Sequence, residues 1–194
     1  MALVYPTYAS LILANTAFAG PSAPQMANGI ALGVTTYLLA NPVPIVSSIG
    51  DVGAPGAGAG VGFVLPPTCT PVAFYGILQP AFSGAGLNGP QTPQMANGLA
   101  IATCTYLLQA QAITAHSGVG VGTGVGNVIG IEPAGLASAI TASTGFAGPA
   151  WPQIVSAFSS ALVTFLMTSV KFSITISGPA GPGASTGTGT GKVV

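Results

Sequence analysis

Apolar residues first follow a helical pattern near the start of the chain. Met26, Ile30, Val34, Tyr37 and Leu38 recur at intervals that place them on one face of an α-helix. A Pro-Gln pair opens this segment, and proline is accepted in the first turn of a helix because its missing N–H has no intrahelical partner there. The other positions are mainly Ala, Gly, Asn and Thr. We therefore expect a second helix or a neighbouring subunit to approach this helix closely.

The same segment returns twice along the chain. Residues 24–31 (PQMANGIA) reappear 69 positions later as residues 93–100 (PQMANGLA), and TYLL at 36–39 reappears at 105–108 without a gap. A third, degraded copy opens at Pro152, 59 positions after the second. Because fixed-period similarity is the mark of repeated structural units, the chain is predicted to consist of three of them.

The repeat units are assigned to residues 1–66, 67–131 and 132–194, the last being degenerate with a Gly-rich tail. Each is predicted to begin with a helix, at Tyr8–Phe18, Val72–Phe82 and Leu136–Phe146. A second helix follows each Pro-Gln pair. Strands are expected next, at Val43–Ile49, Ala112–His116 and Lys171–Ser177. The last of these alternates apolar and polar residues, which is typical of a half-buried strand.

Each unit closes on a tract in which glycine occupies alternate positions: Gly56–Gly62, Gly118–Gly126 and Gly187–Gly191. We expect the two internal tracts to be extended β-structure against which another backbone packs closely. For the third tract, a strand and a flexible tail are equally compatible with the sequence. The predicted fold class is α+β, with three repeats packed as one compact pseudo-threefold domain. A row of units is the alternative, and exposed strand edges would be open to other subunits.

Charge is almost missing. Asp51, Glu132, Lys171 and Lys192 are the only formally charged residues, 2% of the chain against about 25% in ordinary domains. The net charge is zero, and surfaces without net charge tend to associate. This favours a protein that works inside an assembly.

Membrane and secretory segments are not predicted. The apolar stretches Met26–Leu39, Met95–Leu108 and Ile154–Val170 are shorter than the roughly 20 residues that a spanning helix needs. Ala17-Phe18-Ala19 resembles a signal-peptide cleavage site, but no positive region precedes it and Pro6 interrupts the apolar segment. We expect short buried helices.

Candidate chemistry is sparse, and we predict no enzyme, no catalytic residue, no cofactor and no metal. General acid–base catalysis requires positioned titratable groups, yet Asp51, His116 and Glu132 occupy non-equivalent places in the repeats. A nucleophilic pair of Cys104 and His116 is conceivable, but the repeat aligns Cys104 with Thr35 and Val163, as for a packing residue. Cys69 and Cys104 lack the close ligand spacing of a structural zinc site.

The remaining motifs also favour structural roles. The tract 118–124 resembles a phosphate-binding loop, but no Lys-Ser/Thr pair follows it. Two lysines and no arginine are too few for nucleic-acid binding. Lys171 is interpreted as a solubilising residue on an edge strand, with Asp51 or Glu132 as a conceivable partner. Trp151 is interpreted as a buried cap on the third unit.

Small, neutral, Gly/Ala/Thr-rich repeat proteins with helices of the Pro-Gln-Met-Ala-Asn-Gly type resemble minor structural proteins of tailed bacteriophages. The resemblance covers most of the chain. It implies a place in the capsid, neck, tail or baseplate of a virion, many copies, and packing against other virion proteins and itself. No small-molecule ligand is evident. The alternatives are an extracellular self-assembling filament or surface-layer subunit, and a membrane-associated protein with short buried helices.

Overall fold

The described residues contain six helices, which occur as three pairs along the chain. The computed structural model describes residues 5–14, 21–40, 43–50, 56–63, 70–119, 121–129, 131–169, 171–177 and 185–193. The helices are α1 (Tyr5–Ala14), α2 (Ala23–Ala40), α3 (Pro71–Gly84), α4 (Thr92–Gln109), α5 (Pro133–Thr144) and α6 (Trp151–Ser169). The second helix of each pair has proline as its second residue, as the first-turn preference requires.

The helices pack in chain order into a closed ring. Each helix contacts the next one, and α6 returns to contact α1. At this closure Tyr8 of α1 stacks on Phe165 of α6, with ring centroids 4.9 Å apart and planes inclined by 16°. The Tyr8 hydroxyl is buried and meets no hydrogen-bond partner among the described residues. Burial raises the pKa of Tyr8 well above its ordinary value.

Glycines on α2 and α4 let the following first helix approach closely, as the small residues predicted. A Cβ built on Gly98 would lie 2.4 Å from Thr144 Cγ2 and 2.8 Å from Thr144 Cα on α5. At the equivalent Gly29, it would lie 2.9 Å from Phe82 Cδ1 on α3. Gln94, one turn before Gly98, donates from Nε2 to the Thr144 carbonyl over 2.9 Å. The start of α4 therefore holds the end of α5 by both contact and hydrogen bond.

Two strands follow each helix pair. They are β1 (Val43–Gly50), β2 (Gly56–Phe63), β3 (Gln111–Val119), β4 (Val121–Ile129), β5 (Lys171–Ser177) and β6 (Ser185–Val193). All pairings are antiparallel and run in chain order, and β6 returns to pair with β1. Their main contacts with the helices are those of β4 with α6 and of β6 with α2.

The predicted fold class, one compact α+β domain, is wrong. The compact domain consists of six packed helices, whereas the described strands pair with one another apart from it and contribute Val128 to the buried helical core. The physical reason is that α2, α4 and α6 bury apolar residues toward the ring's axis and small residues toward the neighbouring helices. Strands rich in alternate glycines offer little apolar surface to compete with these contacts, so they pair with one another.

Two finer expectations also need correction. Free strand edges were predicted, but each described strand pairs on both sides, which leaves no open edge among them.

The first helix of the third unit was predicted to reach Phe146, but α5 ends at Thr144 and Gly145 follows in the left-handed conformation, with φ of 65°. Phe146 instead meets Trp151 edge to face, with centroids 5.0 Å apart.

Candidate functional surface

Repeat-equivalent side chains meet in layers along the axis of the helical ring. One layer is formed by Met26, Met95 and Ile154, and the next by Ile30, Leu99 and Phe158; these six line one small apolar cavity together with Ile140, Trp151 and Val155. The next equivalent positions along the three helices, Val34, Thr103 and Leu162, are all buried. The Thr103 hydroxyl has no hydrogen-bond partner among the described residues. The described residues along the axis therefore form a mainly apolar packing core.

A tyrosine of the first unit contacts the second unit, and its equivalent in the second unit contacts the third. Tyr37 of α2 stacks on Phe74 of α3 at 4.2 Å, and its hydroxyl donates to the carbonyl of Thr70 over 3.5 Å. Tyr106 of α4 bonds the backbone N–H and carbonyl of Glu132. Thr70 and Glu132 are the residues that precede α3 and α5. The shared Thr-Tyr-Leu-Leu sequence thus fixes where the next helix begins.

Three equivalent rows of residues lie on the outward-facing sides of α2, α4 and α6, and we call them the outer stripes. They are Asn28, Leu32, Thr36 and Leu39; Asn97, Ile101, Thr105 and Leu108; and Ser156, Ser160, Thr164 and Met167. Leu39 and Met167 are 53% and 49% exposed. Isolated exposed apolar residues are ordinary, but here they recur at equivalent positions with no charge between them. Glu132 is the one formally charged residue in the described helical domain.

Two open depressions lie at the end of the ring where the helix-to-helix loops meet. One, of about 480 Å³, is lined by the loop 145–150 with Gln91, Gln94 and Trp151. The other, of about 450 Å³, is lined by residues 86–92 with Ser22 and Met26. Phe146 lines both, and the described residues that line them carry no titratable side chain. Gln91, which lines both, together with Gln94 and Asn88, offers amide groups for hydrogen bonding.

The described residues among the titratable ones singled out from the sequence belong to different elements. Cys104 is fully buried, with its sulfur 3.8 Å from the Tyr37 hydroxyl. His116 lies on β3, in register with Gly58 and Gly124. Glu132 is exposed before α5. Asp51 and Cys69 lie outside the described residues. Within the described ranges, no three His, Cys, Asp or Glu side chains are grouped as metal ligands would be.

Two further sequence interpretations change in detail. Lys171 begins β5, which pairs with β4 on one side and β6 on the other, so the edge-strand interpretation is wrong. Trp151, expected to be a buried cap, is half-buried and packs on the edge of the core.

One described helix meets the length and composition of a membrane span. The window Trp151–Thr168 of α6 has a mean hydropathy of 1.2, and half of it is buried inside the protein. Core helices of soluble proteins have the same features, so this window is weak support for a membrane role.

The outer stripes were not predicted from the sequence, although the aligned repeats contain the pattern that indicates them. Aligning the repeats places Leu32 over Ile101 and Leu39 over Leu108 and Met167, outside the stripe that begins at Met26. These positions give each of the three helices a second, narrower apolar face opposite the one that packs on the axis. That second face is the sequence feature from which the outer stripes could have been predicted.

Comparison with known proteins gives no relative: no family model, no curated protein and no solved structure matches this chain.

Proposed function

We propose that this chain is a structural component of a virus particle, in the capsid, neck, tail or baseplate of a tailed bacteriophage. It acts by packing against other virion proteins and copies of itself, without catalysis. The observation that carries the proposal is the set of outer stripes, which repeat an uncharged and partly apolar surface three times around one ring.

The energetics of such a surface favour burial. Removing apolar surface from water contributes roughly 25 cal/mol per Å², and neutral Asn, Ser and Thr are desolvated at lower cost than charges. A free protein normally covers its surface with charged residues, which keep copies apart. The described helices lack that protection, so contact with partners is the state in which this surface is stable.

The first test is location. The chain should occupy fixed positions in purified particles from its source, visible by cryo-electron microscopy and countable by mass spectrometry. Absence from purified particles, together with a soluble monomer at about millimolar concentration, would refute the proposal.

A matched pair of variants tests the surface itself. Leu39→Lys introduces a charge into an outer stripe and should strongly reduce incorporation into particles. Val72→Lys, on α3 outside the stripes and 78% exposed, introduces the same charge and should be incorporated normally. Equal incorporation of the two variants would show that the stripes are not the packing surface.

A further inference from the structure

The depression lined by the loop 145–150, which we call the aromatic depression, has two aromatic rings in its lining. Phe146 and Trp151 have ring centroids 5.0 Å apart, and their planes are inclined by 80°. The two rings therefore present surfaces at nearly a right angle to each other. Both residues are half-buried, so each keeps part of its surface accessible. Flat rings with an electron-rich face are suited to packing against the C–H groups of a ligand.

Side-chain amides line the same depression. Gln94 donates from Nε2 to the Thr144 carbonyl over 2.9 Å, which holds its side chain in place and leaves Oε1 as the acceptor of that amide. Gln91 is exposed, and its amide has both donors and an acceptor. The aromatic depression thus combines apolar ring surface with hydrogen-bonding groups of both kinds.

The third unit departs from the repeat at this depression. Trp151 is the only tryptophan of the chain, and the equivalent residues of the other units are Thr92 and Ala23. Phe146 likewise has Leu87 as its equivalent in the second unit. Trp151 also lines the small apolar cavity on the axis, so packing on the core accounts for part of this change. The part of the ring that lines the aromatic depression is available to a ligand.

We propose that the aromatic depression binds a neutral saccharide that carries acetamido groups. An acetamido group has one N–H and one carbonyl, which match the acceptor and the donors of a glutamine side chain. Its methyl group and the C–H face of the sugar ring match the aromatic surface. The volume of about 480 Å³ is within the range of about 300–1,000 Å³ that is typical of small-ligand sites. This site goes beyond the proposed function and shares no residue with the outer stripes.

Other ligands that stack on aromatic rings fit this depression less well. The bases of a nucleic acid would do so, but its phosphates are held by several cations together, and the chain has two lysines and no arginine. A proline-rich protein segment would use the rings, but proline has no N–H to donate to a glutamine carbonyl. An acetamido sugar uses the rings and the amides at once.

The test is a titration of the full chain with triacetylchitotriose, followed by calorimetry and by tryptophan fluorescence. Cellotriose is the matched control ligand, because it has the same linkage between its sugar rings and hydroxyls in place of the acetamido groups. Triacetylchitotriose should bind saturably and change the emission of Trp151, the single tryptophan. Cellotriose should bind about tenfold more weakly, since it lacks the hydrogen bonds of the acetamido groups.

A matched pair of variants tests the amides. Gln91→Ala should weaken binding of triacetylchitotriose by about threefold or more, and its fold should be kept because the exposed Gln91 side chain makes no capping hydrogen bond to α4. Gln79→Ala removes the same group from α3, outside both depressions, and should bind like the wild type. Unchanged circular dichroism of both variants excludes unfolding as the cause.

Several results would overturn the proposal. They are the lack of saturable binding of triacetylchitotriose up to about 10 mM, equal affinity for cellotriose, unchanged affinity in Gln91→Ala, and binding that leaves the emission of Trp151 unchanged. Tighter binding of decaproline than of triacetylchitotriose would also overturn it and would identify the depression as a site for a protein segment. Leu39→Lys, in an outer stripe, should retain saccharide binding, so this site and the packing surface are tested separately.

Discussion

The contact between Gly98 and Thr144 gives the most direct test of the helical packing. In Gly98→Ala, the new Cβ would lie 2.4 Å from a side-chain methyl of Thr144, and also 2.8 Å from its Cα and 2.9 Å from its backbone nitrogen. Rotation of the threonine side chain relieves only the first of these contacts. The other two require α4 and α5 to move apart.

The change in the free energy of unfolding of Gly98→Ala is the sum of two opposing effects. Alanine is favoured over glycine in a helix by about 1 kcal/mol, while overpacking costs typically 1–3 kcal/mol. Because two of the three contacts are with backbone, the upper end applies, and the free energy of unfolding should fall by about 2 kcal/mol. For a domain of this size, that lowers Tm by roughly 4–8 °C.

Gly76→Ala is the matched control. Gly76 lies inside α3, and a Cβ built there meets no atom within 4 Å. This variant should therefore gain about 0.5–1 kcal/mol through helix propensity alone. Urea unfolding followed by circular dichroism at 222 nm should place the midpoints of the two variants on opposite sides of the wild type. A Gly98→Ala protein as stable as Gly76→Ala would refute the close approach of α4 and α5.

Three further predictions concern buried hydroxyls. Tyr8→Phe should stabilise the protein by about 1 kcal/mol in urea unfolding, because an unpartnered buried hydroxyl is removed; Tyr37→Phe, which loses a hydrogen bond, should not. Since the pKa of Tyr8 is raised in the folded state, the unfolded chain releases its proton first as pH rises above about 10. Stability should fall there, and less steeply in Tyr8→Phe; an identical decline in both proteins would contradict the burial of this hydroxyl. Thr103→Val should raise the unfolding midpoint, because the equivalent residues are Val34 and Leu162; a lower midpoint would mean that the hydroxyl has a partner.

The repeat made the helices predictable, because the same apolar spacing and the same Pro-Gln opening occur in each unit. The close approach at Gly29 and Gly98 was predictable for the same reason. The end of α5 was not. Matching Phe82 with Phe146 by residue type is wrong, since the packing partners of the two glycines are Phe82 and Thr144.

The arrangement of the elements could not be predicted from local patterns. Whether strands pack on helices or on each other depends on which apolar faces remain unpaired once the helices have met. The register that places Ser173 opposite Lys192 depends likewise on pairing between β5 and β6, which is set by the whole set of strands.

The contact between α1 and α6 has a consequence for how the protein forms. The other extensive helix-to-helix contacts of the described residues join consecutive helices, whereas this one joins the first helix to the last. Closing so long a segment carries an entropic cost that is recovered only when the final contacts form. During synthesis, the first two units are made before α6, so the helix faces that pack on α6 are exposed to solvent until then. Because Tyr8 of α1 packs on Phe165 of α6, we expect completion of the ring to be a late step in folding.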